Sequence, residues 1–215
     1  MHAKPVLFGA DYSVYVRIAR LALIEKGVDH DIVPVDVFSA DGLPEGYAAR
    51  HPFGRIPSLD HGGFRVFETS AITRYVDEAF DGPALQPDDA EGRAVMNQII
   101  GVIDSYAYKA MVWDIYVERV SRAGSGETPD EDLIAAALPV AMTCLETFET
   151  FKSSRQWLAG ETIGLADFHL APVFAYFLQA PEGRTMLGGF PALAAWWTAI
   201  SERASFKATA RSQAD

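Results

Sequence analysis

Every segment that reads as a β-strand lies within the first eighty residues, and this asymmetry constrains the fold more than any other feature. Residues 4–9 (KPVLFG) form a short apolar run ending in glycine. Residues 13–26 then carry Val16, Ala19, Leu21, Ala22 and Leu23 at helical spacing, with Gly27 as the stop. Residues 30–37 alternate polar and apolar, and Pro34 marks an edge or the end of pairing. Residues 58–59 and 65–67 flank Asp-His-Gly-Gly, whose glycines suit a hairpin turn. Residues 69–80 place Ile72, Tyr75, Val76 and Ala79 on one helix face. The order β-α-β, then β-β-α, specifies a small mixed sheet covered by helices.

After the Pro/Gly/Asp connection at residues 81–89 (DGPALQPDD) the strand pattern is gone. The division expected is therefore an α/β domain over residues 1–81, a linker over 82–88 and an all-α helical bundle over 89–215. A long helix is predicted from about residue 89 to 121, its face formed by Val95, Ile99, Ile103, Tyr106, Ala110, Trp113, Val117 and Val120. Thr128-Pro129-Asp130-Glu131 reads as a capping box opening a helix that carries Leu133, Ala137, Val140, Cys144, Phe148 and Phe151, with Pro139 as a kink. Residues 165–180 are apolar nearly all round and predict a buried central helix, with Pro181 beyond its end. Residues 191–204 form the last predicted helix.

Composition excludes several function classes. With 215 residues the chain buries a core without staples, and 49% hydrophobic and 22% charged residues place it among globular proteins. No apolar run approaches about 20 residues and no signal-peptide pattern opens the chain, so a cytoplasmic protein without membrane contact is expected. Its 18 basic and 29 acidic residues give a net charge of −11, which opposes non-specific nucleic-acid binding. A single cysteine, Cys144, excludes an internal disulfide and a CxxC redox pair. The five histidines show no HxxxH spacing, so no metal site is expected.

Four segments then coincide in order: LFGADYSVYVRIARLAL (residues 7–23), HPFGRIPSLDHGGFRVFETSAITRYVDE (51–78), WLAGETIGLADF (157–168) and FPALAAWWTAISERASF (190–206). Together they resemble the cytosolic glutathione S-transferases, of the bacterial, serine-type kind, from end to end of the chain. The resemblance implies a thioredoxin-like N-terminal domain that binds glutathione as co-substrate, with no other cofactor. It also implies an all-helical domain shaping a second-substrate pocket, and a homodimer.

The residues themselves support a site for a small zwitterionic ligand. Glu68 and Thr69 stand where a strand hands over to a helix, whose N-terminus offers free N–H groups to a carboxylate while Glu68 offers a partner to an ammonium. The same spacing also fits a plain N-cap threonine after an incidental acid. Spacing alone predicts a trans Ile56–Pro57 bond. The resemblance implies cis, with the Ile56 backbone turned outward to pair with the cysteinyl unit of glutathione. Arg55 occupies a position where relatives contact the glycyl carboxylate, and it also reads as a solvated loop charge.

For thiol activation the resemblance points to Ser13, aligned with the serine of Ser-Pro-Tyr and Ser-Pro-Phe motifs, although Val14 replaces the proline. Tyr12 is a competitor, and Ser13 equally suits a helix N-cap. Tyr106, Ala110 and Trp113 are candidates for the second-substrate pocket, set against the ordinary reading of a helical aromatic stripe as core. Pro57 and Asp167 are expected to be structural, Asp167 as the surviving half of a capping box that has Gly164 at its N-cap. The function expected is conjugation of glutathione to a small apolar electrophile. A glutathione-dependent disulfide reductase and a non-catalytic binding protein on the same scaffold are the alternatives.

Overall fold

A computed structural model describes residues 3–211. Contacts divide the chain into two compact units, Met1–Leu85 with Ala204–Asp215, and Gln86–Arg203. In the first unit four strands, β1 (Val6–Gly9), β2 (Asp31–Pro34), β3 (Ser58–His61) and β4 (Phe64–Phe67), form one sheet in the order β2-β1-β3-β4. β2 runs parallel to β1, while β3 and β4 are antiparallel additions. The β2 strand is an edge and Pro34 is its last residue, where a missing N–H costs no pairing. Gly62 and Gly63 close the β3–β4 hairpin, both at positive φ (56° and 87°), the backbone that a two-residue turn of matching twist requires.

Helices α1 (Val14–Glu25) and α2 (Thr69–Ala79) pack against each other, and Leu7, Leu59, Ile18, Leu23, Ile72 and Val76 are fully buried between sheet and helices. The strand β1 ends in glycine because α1 comes very close: a Cβ at Gly9 would lie 2.3 Å from Cγ2 of Val16. The other sheet face, bearing Phe8, Ser58, Asp60, Arg65 and Phe67, meets an irregular segment that includes Tyr47, Arg50 and His51. There the Arg50 guanidinium lies 3.9 Å from the Phe8 ring centre and His51 stacks 4.9 Å from Phe67.

The chain end departs from the expected boundary. Residues beyond Ala204 group with the first unit instead of the helical one. In the short helix α8 (Ala204–Ala208) and just after it, Arg17 of α1 holds the Phe206 carbonyl (3.0 Å) and the Thr209 hydroxyl (3.3 Å), and Ser205 donates to Glu25. The connection after α2 is also fastened to this unit. The buried Lys26–Asp77 pair (2.8 Å) reaches the Pro83 carbonyl through Lys26, and Asp77 accepts from the Leu85 N–H.

The second unit contains helices only, apart from an isolated bridge between Trp157 and Gly160. Here α3 (Ala90–Val102) continues without a break as a wider, π-type helix over Ile103–Arg122. The buried stripe is Ile99, Ile103, Ala107, Met111 and Ile115, four residues apart, instead of the predicted alternation of threes and fours. Wider turns rotate the face, so Tyr106 and Trp113 leave it and become exposed. A five-residue reach becomes available, and Lys109 donates to both oxygens of Asp114 (2.8 and 2.6 Å).

Helix α4 (Glu131–Lys152) packs on that helix. The predicted box at Thr128 does not form. Asp130 is the N-cap, accepting from Leu133 N–H at 3.0 Å, because Glu131 is taken by Arg119 at 2.6 Å. By length and hydropathy α4 meets the requirements of a membrane span, which the sequence reading did not anticipate. Its stripe of Ile134, Ala137, Ala141, Leu145 and Phe148 is buried, as in the core helix of a globular unit.

Helix α5 (Leu165–Phe177) is buried on nearly every side, as expected. Pro181 does more than follow it: it occupies the first turn of a further helix, α6 (Pro181–Leu187), where a missing N–H is tolerated. The final helix of this unit, α7 (Pro191–Ser201), presents its free N–H groups to Glu149 of α4, which accepts from Ala192 (3.0 Å) and Leu193 (2.8 Å). Asp167, wholly buried in α5, accepts from Leu158 N–H (3.0 Å), Gly164 N–H (3.0 Å) and the Trp196 indole (2.8 Å). Glycine at residue 164 has no side chain to return a bond, but its carbonyl accepts from the Asp167 N–H at 3.0 Å.

Candidate active site

Sheet register gathers the sequence-predicted groups at one end of the first unit. Phe8 of β1 pairs with Ser58 of β3, and Ser58 pairs with Phe67 of β4. The residues that leave or enter the sheet there are Ser13 after β1, Ile56 and Pro57 before β3, and Glu68 and Thr69 after β4. Neighbouring strands lie about 4.8 Å apart, so the ends of β1 and β4 are separated by roughly 10 Å with β3 between them. Three extended residues span that distance.

Ser13 is the N-cap of α1. Its Oγ accepts from the Val16 N–H at 3.3 Å, and its hydroxyl proton has no acceptor among the described residues. The oxygen is thus polarised by a helix N-terminus while its donor remains free. Capping and donation to a ligand are compatible roles for one hydroxyl.

Tyr12 is differently committed. Its hydroxyl donates to Asp36 at 2.7 Å and accepts from the Val37 N–H at 3.2 Å. Burial, followed by the Asp36 hydrogen bond, pushes this phenol up to about 12. Its proton ties the end of α1 to the segment after β2, which leaves Ser13 as the hydroxyl with a proton to offer.

At the opposite side of the site the β4–α2 junction is strained. Glu68 adopts φ 67° and ψ 118°, a conformation that favours glycine. The carbonyl of Glu68 accepts from Ala71 and Ile72, both at 2.9 Å, while the N–H groups of Thr69 and Ser70 have no acceptor among the described residues. Thr69 is buried and makes no side-chain cap, so the plain N-cap reading of this threonine is not what the geometry shows.

Between these ends the Ile56–Pro57 bond is cis, as the resemblance implied. The Ile56 N–H and C=O make no backbone hydrogen bond among the described residues. Arg55 is exposed, and its carbonyl accepts from the Tyr47 hydroxyl at 2.9 Å. His51, 2% exposed, is pushed down by burial, with Glu68 opposing and Arg55 reinforcing that shift. Burial pushes Asp60 up, but Arg65 and Arg50 prevail and hold its carboxyl below the usual range. Sequence reasoning missed Tyr47, His51 and Asp36, because irregular segments carry no periodicity that marks an inward side chain.

The three candidates for a second-substrate pocket have different surroundings. Tyr106 is exposed beside a groove of 290 Å³ lined also by Val102, Val140, Thr143, Cys144 and Thr147. Ala110 is buried, and Trp113 is half exposed with Tyr108 edge-on at 6.5 Å. Cys144 is buried, and its thiol is pushed up by burial to about 11. No group of three or more metal-ligating side chains occurs among the described residues.

A family model described as "Glutathione S-transferase, N-terminal domain" matches residues 7–84, and one described as "Glutathione S-transferase, C-terminal domain" matches residues 106–204. The chain is 31% identical over 194 residues to Glutathione S-transferase F9 of Arabidopsis thaliana, covering 89% of each chain. It superposes on glutathione S-transferase III in apo form with a TM-score of 0.84 at 30% identity, covering 96% of this chain and 95% of that one. A glutathione S-transferase-I structure bound with lactoylglutathione gives 0.85 at 28% identity, covering 97% and 99%. Both domains match in order, and one relative shares close to a third of its residues over most of both lengths: the chain belongs to the glutathione S-transferase family.

Proposed function

We propose that this protein is a glutathione transferase that activates the glutathione thiol through Ser13 and transfers the sulfur to a small apolar electrophile. The observation that carries this reading is the clustering, at one end of one sheet, of a hydroxyl with a free proton, an unpaired backbone edge and a helix N-terminus beside a carboxylate. In this reading the γ-glutamyl carboxylate takes the Thr69 and Ser70 N–H groups and the adjacent ammonium pairs with Glu68. The cysteinyl unit pairs with the Ile56 backbone, and Arg55 meets the glycyl carboxylate. The sulfur then lies against Ser13, whose hydroxyl donates to the thiolate as the thiol proton departs to solvent. As the C–S bond forms, the bond to the leaving group breaks. Holding both reactants together supplies much of the rate.

A disulfide-reductase reading finds little support, because the one protein thiol is buried and pushed up to about 11. Titration calorimetry with glutathione tests the proposal directly. Binding, together with an ultraviolet thiolate band that appears on mixing and turnover of an aryl halide, is the expected result. No heat at millimolar glutathione would leave a non-catalytic protein on the same scaffold. We extend the reading to a homodimer in the cytoplasm on the family's usual habit, with light scattering and cell fractionation as the checks.

A further inference from the structure

The segment that supports Arg55 and Ile56 has no regular secondary structure except the single 3-10 turn Tyr47–Ala49, so something else must fix their backbone. Tyr47 is 3% exposed, and its hydroxyl crosses eight residues to donate to the Arg55 carbonyl at 2.9 Å. The Tyr47 carbonyl accepts from Arg50 (2.8 Å) and His51 (3.1 Å), and the His51 carbonyl accepts from Gly54 (2.9 Å). One buried residue therefore anchors both ends of the loop that leads into the Ile56–Pro57 step, its backbone carbonyl at the start and its hydroxyl at Arg55. Burial raises the phenol, with Ser58 and Arg50 pulling the other way, so the donor keeps its proton throughout the working range.

We infer that Tyr47 is a positioning residue for glutathione: by holding the Arg55 carbonyl it sets the direction of the adjacent Ile56 edge and so controls affinity for the co-substrate without touching the sulfur. The inference rests on the proposed function, and it assigns Tyr47 to binding and not to chemistry. A backbone edge recognises a peptide only when its N–H and C=O are aimed in advance, since ordering it on binding would consume affinity.

The test is Tyr47→Phe, which removes one oxygen and keeps the buried ring. Calorimetry should show glutathione binding weakened about 3- to 10-fold, the worth of one buried hydrogen bond expressed as affinity. The KM for glutathione should rise equally, and kcat at saturating glutathione should stay within about twofold, a split that general loss of stability would not produce. Amide exchange at residues 53–56 should quicken in the variant even without ligand. Trp196→Phe, which deletes the indole bond to Asp167, provides a destabilised comparison whose KM should not move. Equal glutathione affinity in wild type and Tyr47→Phe overturns the inference while leaving the transferase reading intact. Absence of binding by the wild type overturns both.

Discussion

Replacing Ser13 by alanine separates its two roles, because each has a different size and a different observable. As N-cap, Ser13 accepts one N–H at 3.3 Å, a long bond, so its loss should cost about 1 kcal/mol of stability or less. As donor to a thiolate the hydroxyl makes a bond to a charged acceptor, worth about 1.5–3 kcal/mol. At about 1.4 kcal/mol per unit that lowers the thiol by one to two pKa units, from about 8.5 to roughly 6.5–7.5.

The variant should therefore move the midpoint of the pH–rate profile up by one to two units. At pH near 6.5 its rate falls roughly 10- to 50-fold, following the lost thiolate fraction. Above pH about 9 both forms carry thiolate and their rates converge, the variant even gaining because a more basic thiolate is the better nucleophile. Stopped-flow rates of conjugation across this range, with thiolate absorbance in parallel, measure the shift. Tyr12→Phe is the internal control, since its proton is held by Asp36 and its removal should leave the midpoint in place. Coincident profiles for wild type and Ser13→Ala would refute the argument, as would a loss of rate that is uniform with pH.

Glu68→Gly should relieve backbone strain of about 1–3 kcal/mol against a smaller entropic cost for glycine, giving a protein about 1 kcal/mol more stable in urea yet poorer in glutathione binding. Lower stability would show that the junction is not strained. Asp167, pushed by burial up to about 6 from 3.8, favours the folded state most when protonated, so its contribution is full below pH about 4 and declines by ~3 kcal/mol as pH rises through 6. Asp167→Asn should remove that slope, making the variant less stable than wild type at pH 4.5 but closing the gap by pH 7.5, and parallel melting curves across this range would contradict it. With a net charge of −11 the protein repels anionic glutathione at long range, so the KM for glutathione should fall from low to physiological ionic strength; a rise would mean that exposed cations such as Arg55 dominate.

Periodicity made the architecture legible where side chains repeat: the short strands, the α1 face, the buried α5 and the change to helices after residue 81 all follow from spacing, whereas the α2 face buries Ile72 and Val76 with Thr73 and leaves Ala79 exposed. It failed where geometry breaks the assumed repeat. The stripe through Ile99, Ile103, Ala107, Met111 and Ile115 advances by four, so a face computed at 3.6 residues per turn drifts off it and wrongly recruits Tyr106 and Trp113. Thr128 carried a valid capping signature, but Arg119, nearby only in the folded unit, took Glu131 and left the cap to Asp130. The proposed site was legible only as residue types at sheet ends, since Ser13, Ile56, Glu68 and Thr69 adjoin strands whose pairing brings them to one end of the sheet. Tyr47 was not, because its partner Arg55 lies eight residues away across an irregular loop.

The single cysteine clarifies how such a site divides its labour. A thiol fixed in the protein must be kept reactive by its surroundings, and Cys144 shows the opposite condition, buried and pushed up to about 11. A sulfur delivered on a co-substrate needs only a place to arrive and one donor to stabilise its charge. The groups assigned to that task are mostly backbone N–H groups and a hydroxyl, which carry no net charge and recognise a carboxylate or thiolate by direction. In a chain with eleven excess negative charges this choice has a physical basis: dipoles aimed at short range remain effective where the long-range field is unfavourable. Their weakness is dependence on aim. An ammonium or guanidinium tolerates displacement of an ångström, whereas an N–H turned aside is lost, which is why the proposed site gives weight to the strained Glu68 junction and the Tyr47 anchor although neither would supply the attacking atom.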